Sequence, residues 1–344
     1  MSTQSRRKFL QTAGAFITAP LLLQAAEDHY KLVSVTGELP LKEMDFILPH
    51  EHIMVDFIGA AHITKDRYNP QEVYDKALPK LLELRKTGCT ALFDCTPAYL
   101  GRDAVLLKKL SQASGIAILT NTGYYGAAKE KYLPQQVFTE DAATLAKRWI
   151  NECENGIEHT GIKPGFIKLG VDEAPLTDAQ QKIIHAGALT HLQTGLTIAV
   201  HTGNGKAAGE ELDILTSHKV NPDALVWVHA QNEQDFTYFT MLGKQGVWVQ
   251  FDGVNKDNLQ QYLIFLQHMK THQLLNRTLV SQDSGWYHVG EAGGGNFNGY
   301  TDLFVYFIPL LKQHGFTNVE INQVFKKNPI EAYRVSVRKR NVEM

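Results

Sequence analysis

The stretch FILPHEH, residues 46–52, sets two histidines either side of a glutamate at the end of an apolar run. Side chains at i and i+2 share one face of a strand but lie on nearly opposite faces of a helix, so the secondary structure of this run decides whether His50 and His52 converge. The apolar residues before them suit a buried strand, and Pro49 opposes a helix continuing through the pair. A strand presents both imidazoles together, with Cβ atoms about 7 Å apart, close enough to share one metal ion. The helical zinc-protease motif HExxH does not fit, because its second histidine would fall at Met54. Taken alone, H-x-H is equally compatible with two hydrogen-bonded core or surface histidines, so the rest of the chain has to decide.

Outward from this segment, short apolar runs alternate with longer amphipathic ones. The further runs are residues 89–95, 115–121, 165–171, 197–202, 224–230, 247–252 and 278–284, which with 46–52 make eight candidate strands. Between them lie stretches such as QEVYDKALPKLLELRK (71–86) and DAQQKIIHAGALTHLQ (178–193), with apolar residues at helical spacing and Thr177-Asp178 as a helix start. Strand-helix alternation implies a parallel sheet covered by helices, and eight repeats are the number that closes a (β/α)8 TIM barrel, an α/β fold. The alternative is a doubly wound open sheet, weakened because no GxGxxG follows the first strand. Residues 27–344 read as one domain, with 27–45 a cap over the barrel bottom and VRKRNVEM (337–344) a solvated tail.

The formal net charge of −2 over 344 residues, with acidic and basic side chains interspersed, leaves no nucleic-acid footprint. Residues 1–26 differ from the rest. SRRKFLQ is followed by TAGAFITAPLLLQAA, an uncharged, mostly apolar stretch ending in small residues. Arg6-Arg7 before Phe9-Leu10 resembles a twin-arginine export signal, and the apolar run is shorter than the roughly 20 residues of a membrane span. The expectation is a cleaved signal, a periplasmic protein and no stable membrane insertion after cleavage. Three cysteines, Cys89, Cys95 and Cys153, without CxxC spacing, indicate buried thiols rather than a disulfide framework.

A closed barrel gathers the C-terminal ends of its strands at one rim, where active sites are built. Those ends carry His50 and His52 on strand 1, Lys168 on strand 4, His201 on strand 5, His229 on strand 6 and Asp283 on strand 8, each polar where the pattern asks for an apolar residue. Each alone is compatible with an ordinary hydrogen-bonding or capping role. Together, four imidazoles and a carboxylate suit a zinc-like divalent ion and are too many for one tetrahedral ion with an open position, which implies two metals. An ammonium cannot ligate a cation. A lysine deprotonated by burial, however, reacts with carbon dioxide to give an anionic carbamate able to bridge two ions. Two divalent ions bring +4, and carbamate, aspartate and a bridging hydroxide remove three, leaving one net positive charge for a developing oxyanion.

The motifs LPHEH, FIKLG, AVHTGNG, WVHAQN and LVSQDSGW resemble, in order and spacing, the phosphotriesterase family of the amidohydrolase superfamily. The likeness extends through VTGELPLKEMDFILPHEH, DCTPAYLGRD, TNTGYYG and KNPIEAY, over essentially the mature chain. The resemblance implies that His50, His52 and Asp283 hold a more buried metal, His201 and His229 a more exposed one, with carbamylated Lys168 and a hydroxide between them and Asp283 taking the proton. It also implies a small-molecule substrate and a homodimer. Members that hydrolyse organophosphates carry a proton-relaying histidine after strand 7, where QFDGVN has Gly253. Lactonase-like members carry a tyrosine after strand 3, where Tyr125 falls, so lactone opening is expected over phosphotriester hydrolysis. Tyr125 is equally compatible with a packing role, since Tyr124 and Tyr125 must divide between core and cleft. The glycine-rich loop GWYHVGEAGGGNFNGY (285–300) reads as a mobile lid offering Trp286 and His288 to substrate. A metal-containing binding protein without turnover is the competing functional class, disfavoured because all six ligand positions are filled.

Overall fold

Alternation of side chains along each short apolar run builds two packed layers, one inside a ring of strands and one outside it. The structure, a computed structural model, describes residues 31–340, so the segment 1–26, expected from its sequence to be an export signal, lies outside the described residues. Eight parallel strands follow in chain order: β1 (Phe46–Glu51), β2 (Cys89–Asp94), β3 (Ala117–Leu119, continued by Asn121–Thr122), β4 (Phe166–Gly170), β5 (Ile198–His201), β6 (Leu225–Val228), β7 (Trp248–Phe251) and β8 (Thr278–Val280). Each pairs with its sequence neighbours, and β3 joins the β1–β2 side to the β4–β8 side. The ring closes where Asp283 N–H donates to His50 O at 3.1 Å and His52 N–H to Ser284 O at 2.9 Å. The fold is therefore the (β/α)8 barrel expected from the repeat count.

Helices α1 (Pro70–Lys86), α2 (Ala104–Ser114), α3 (Ala142–Asn155), α4 (Asp178–Thr194), α5 (Gly205–Ser217), α6 (Thr237–Gln245) and α7 (Leu259–Thr271) cross between consecutive strands. Their ends follow local chemistry: Thr177 and Gln180 form a capping box at α4, whose loss would cost about 1 kcal/mol, and Gly195 ends the helix in the left-handed region. Inside the barrel, Ile47, Phe93, Leu119, Phe166, Ala199, Val226, Trp248 and Leu279 form one cluster. Their neighbours Leu48, Leu92, Ile118, Ile167, Val200, Trp227, Val249 and Val280 face the helices.

The leader caps the barrel bottom. A hairpin of Val33–Ser34 and Gly37–Glu38 leads into a turn at Leu41–Glu43, while Leu32 and Met44 join the interior cluster. The C-terminal segment is not the expected solvated tail as far as residue 340. Arg338 is 6% exposed, its guanidinium donates to Thr197 Oγ1 and to the carbonyls of Asp223, Ala332 and Arg334, and Arg340 N–H donates to Lys219 O at 2.9 Å. A charged composition implies solvation only when the donors lack better partners, and a guanidinium with five donors finds them in carbonyls at the barrel bottom. All three thiols are free, those of Cys89 and Cys95 buried. No helix among the described residues is long and apolar enough to cross a membrane.

Candidate metal centre

Strict alternation from Ile47, which faces the barrel interior, would send His50 outward. The register between β1 and β2 shifts between Leu48 and Glu51, and this bulge-like irregularity around Pro49 brings both imidazoles inward instead. Glu51 then faces the loop after β8 and accepts from Ser281 Oγ (2.7 Å), Gln282 N (2.9 Å) and Ser284 N (2.7 Å). Burial pushes its pKa up to about 8 despite those donors. The glutamate of LPHEH thus fastens the segment carrying Asp283 against the segment carrying the histidines. Gly285 makes this close approach possible, since it lies at φ +100° and a Cβ there would sit 1.8 Å from His52 O.

The six sequence-identified residues come together around one cavity of about 370 Å³. His50 Nε2 lies 3.3 Å from His52 Nε2, and Asp283 Oδ1 lies 3.5 and 3.1 Å from these two nitrogens. Asp283 Oδ1 is buried with no hydrogen-bond partner of proper geometry among the described residues. The imidazoles run on as a chain, with ring centroids 4.8 Å apart for His50–His229 and 4.4 Å for His229–His201. His229 and Asp283 both sit in the left-handed backbone region, at φ +62° and +50°. Such conformations cost of order 1–3 kcal/mol and persist where surrounding contacts hold them.

Lys168 departs from the rim pattern, because it is the third residue of the five in β4 rather than its last. Its side chain is long enough to reach the cavity from there. It is 1% exposed, its Nζ donates to Leu169 O at 3.2 Å, and it forms no ion pair among the described residues. Burial lowers its pKa, against the opposing charges of Asp252 and Asp283. Burial likewise lowers His50 to about 4 and His201 well below its ordinary value. For His229, burial is outweighed by the charge of Asp252, and the pKa rises.

These donors fit a divalent cation. Imidazole nitrogens crowded against one another, beside a carboxylate oxygen without a hydrogen-bond donor, leave lone pairs directed at a common region, and the N/N/O set is that of zinc-like ions. His50, His52 and Asp283 place ligand atoms within 4.8 Å of one another. Sequence reasoning missed three supporting residues. Thr96 Oγ1 contacts His52 Nδ1 at 2.7 Å. Gln250 and Asp252, on and just beyond β7, reach His50 and His229. The i, i+2 polar pair in QFD carries the same signal as the histidines of LPHEH and was open to the same reading.

The remaining cavity wall is mostly apolar and aromatic, from Phe57, Leu100, Tyr125, Ala128, Tyr132 and Trp286, with Cys95 and the amides of Gln231 and Asn232 completing it. Tyr125 lies 5.0 Å from the His201 ring and under Lys168 Nζ at 5.6 Å, while Tyr124 packs in the core against Trp149 and Tyr99. Trp286 lies 4.1 Å from His52 and stacks on Phe57. His288 does not line the cavity and stacks behind Trp286 at 6.2 Å. Nor is the loop after β8 a free lid in its first part, since Tyr287–His288 pairs in parallel with Met54–Val55. At residue 253, φ is +101° and a Cβ would lie 2.8 Å from Tyr262 OH, so a larger residue would be strained and crowded there.

Comparison with known proteins gives a consistent picture. The profile described as Phosphotriesterase family matches residues 30–333. The chain is 28% identical to the phosphotriesterase homology protein of Escherichia coli, over 84% of this chain and 98% of that one. It is 26% identical to the aryldialkylphosphatase of Saccharolobus solfataricus, over 84% and 94%. A solved mutant of a Deinococcus radiodurans PTE-like lactonase superposes with a TM-score of 0.79 at 24% identity, covering 88% of this chain and 99% of that one.

Proposed function

The chain belongs to the phosphotriesterase family, and from that premise we propose that this hydrolase is a binuclear metal enzyme opening a lactone or related carboxylic ester. The observation that carries the reading is the convergence of His50, His52 and Asp283 on one region beside a buried lysine that has no ion-pair partner among the described residues. His50, His52 and Asp283 would hold one ion, His201 and His229 the other. Lys168, after its neutral amine adds to carbon dioxide and releases a proton, would offer a carboxylate to both. When bound, two zinc-like ions supply Lewis acidity and a hydroxide nucleophile at neutral pH.

The chain's own groups do the rest. Burial alone would raise the Asp283 carboxyl, but the neighbouring His50 and His52 hold it down to about 2, so it stays ionised and able to accept the nucleophile's proton. Tyr125, at the cavity wall beside His201, orients the carbonyl. Phe57, Tyr132 and Trp286 exclude water around the ring and its substituent. Among the described residues, Lys168 is the sole lysine or arginine lining the cavity, which suits an uncharged substrate. The lactonase named among the structural neighbours supports the same substrate class. Gly253, in its crowded left-handed turn, offers no side chain to relay a proton from Asp283, which argues against a phosphotriester.

The twin-arginine-like segment around Arg6-Arg7 supports export to the periplasm, which cell fractionation would test. The catalytic reading is tested by metal analysis and a panel of lactones, carboxylic esters and phosphotriesters, using chain produced with zinc and bicarbonate. About two ions per chain and fastest turnover on a lactone are expected. A metal-free protein, or fastest turnover on a phosphotriester, overturns it.

A further inference from the structure

We propose that Asp252 is the shared positioning residue of the metal centre, a single carboxylate that orients one ligand in each half. The inference rests on the two-ion reading above. Asp252 follows β7 and is fully buried. Its Oδ2 lies 3.1 Å from His50 Nδ1, and its Oδ1 accepts from His229 Nδ1. His50 belongs with His52 and Asp283, whereas His229 stacks edge-on with His201. The two oxygens therefore serve opposite halves.

An ionised carboxylate only accepts, so facing Nδ1 it selects the Nδ1–H tautomer and leaves the Nε2 lone pair of each ring free. Gln250 Nε2, also 3.1 Å from His50 Nδ1, then gives its proton to Asp252 Oδ2 at 3.0 Å rather than to the ring. For His50 that Nε2 is the atom 3.3 Å from His52 Nε2 and 3.5 Å from Asp283 Oδ1. The carboxylate is itself held in place. Gln231 Nε2 donates at 2.8 Å, Gln250 Nε2 at 3.0 Å and His229 N–H at 3.3 Å, while Asp252 N–H donates to Gln231 Oε1 at 3.0 Å. The bond from His229 N–H also secures the left-handed turn that points this histidine into the cavity. His52, by contrast, is held by Thr96 at 2.7 Å, a contact that serves one half only.

One competing arrangement is visible. His50, His229 and Asp252 also place potential ligand atoms within 4.8 Å of one another, so Asp252 and the two Nδ1 atoms form an alternative metal triad. Binding there would have to displace the imidazole protons and the amide donors that already fill the carboxylate.

The test is zinc titration of the metal-free chain against a competing chromophoric chelator, for wild type, Asp252→Asn and Thr96→Val. Asparagine keeps the shape but offers one acceptor oxygen and turns an NH2 toward the second imidazole. Both ions should bind about 10–100-fold more weakly in Asp252→Asn, and one ion only in Thr96→Val. Either ion retaining wild-type affinity in Asp252→Asn overturns the proposal. Should that variant fail to fold by circular dichroism, nitrogen-15 NMR of zinc-loaded wild type decides. Slowly exchanging Nδ1–H signals from both His50 and His229 support the proposal, and a metal-bound Nδ1 on either refutes it. A wild type that takes up no zinc overturns the two-ion reading and this inference with it. Two ions bound and an unaffected Asp252→Asn overturn this inference alone.

Discussion

The two ends of the barrel bury polar groups in opposite ways. At the bottom, His191 is fully buried, its Nδ1 donates to Leu196 O at 2.8 Å and its Nε2 accepts from Arg338 N–H at 3.0 Å, so both nitrogens are used. At the top, His50 and His52 bring their Nε2 atoms to 3.3 Å of each other beside Asp283 Oδ1, which has no hydrogen bond of proper geometry among the described residues. Burial is common to both. What separates a core histidine from a ligand is whether its lone pair has already found a donor. Volume does not separate them, since a groove of about 1130 Å³ at the bottom, lined by Lys31, Trp248 and Arg277, is larger than the metal cavity of about 370 Å³. The bottom is organised for stability, the top for chemistry.

If that division holds, substitutions at the two ends should fail in different assays. The largest effect belongs to Lys168→Ala, which should lower kcat by at least about 10³-fold and reduce bound metal, with small carboxylates restoring part of both. Unchanged metal content and rate would remove Lys168 from the centre. Next comes Arg338→Met at the bottom, which strips partners from buried carbonyls and should cost roughly 2–4 kcal/mol in denaturant unfolding while leaving kcat unchanged. A lower kcat with unaltered stability would break the division.

A smaller effect concerns pH. Burial lowers His191 to about 4 from the ordinary 6.5. As pH falls the unfolded chain takes up the proton first, so this stabilisation is present above about 6.5 and is lost on the way down to about 4, at most roughly 3 kcal/mol. Unfolding midpoints across that window should slope less steeply in His191→Gln than in wild type; parallel slopes would show that His191 does not titrate as its burial implies. Smallest is Tyr125→Phe, which should slow lactone opening by up to about 10-fold, the value of one hydrogen bond, while Tyr124→Phe leaves the rate alone. Equal rates for wild type and Tyr125→Phe would return Tyr125 to a packing role.

Much of the centre was legible before any coordinates, because the barrel turns sequence order into spatial order. A polar residue at the end of an apolar run must lie on the rim, and so His50, His52, His201, His229 and Asp283 could be found one strand at a time. Lys168 was found by the same rule although it sits mid-strand, since a long side chain forgives a two-residue offset. Asp252 and Thr96 went unread because their importance is relational: each matters through the imidazole it touches across 23 and 44 residues of chain. For His288 and the loop after β8, composition does not reveal the strand pairing of Tyr287–His288 with Met54–Val55. The tail was misjudged because Arg338 is buried by partners remote in sequence.

Periodicity and residue type were enough to determine the barrel, its eight strands and the donors available to a metal, because these depend on local alternation and on the order of elements along the chain. Tertiary structure alone decided which lone pairs stay unclaimed. The shift around Pro49 turned the histidines inward, Glu51 fastened β1 to the Asp283 segment, and Asp252 reached both His50 and His229. Hydrogen-bond satisfaction is a property of the packed neighbourhood, and no window of sequence contains it.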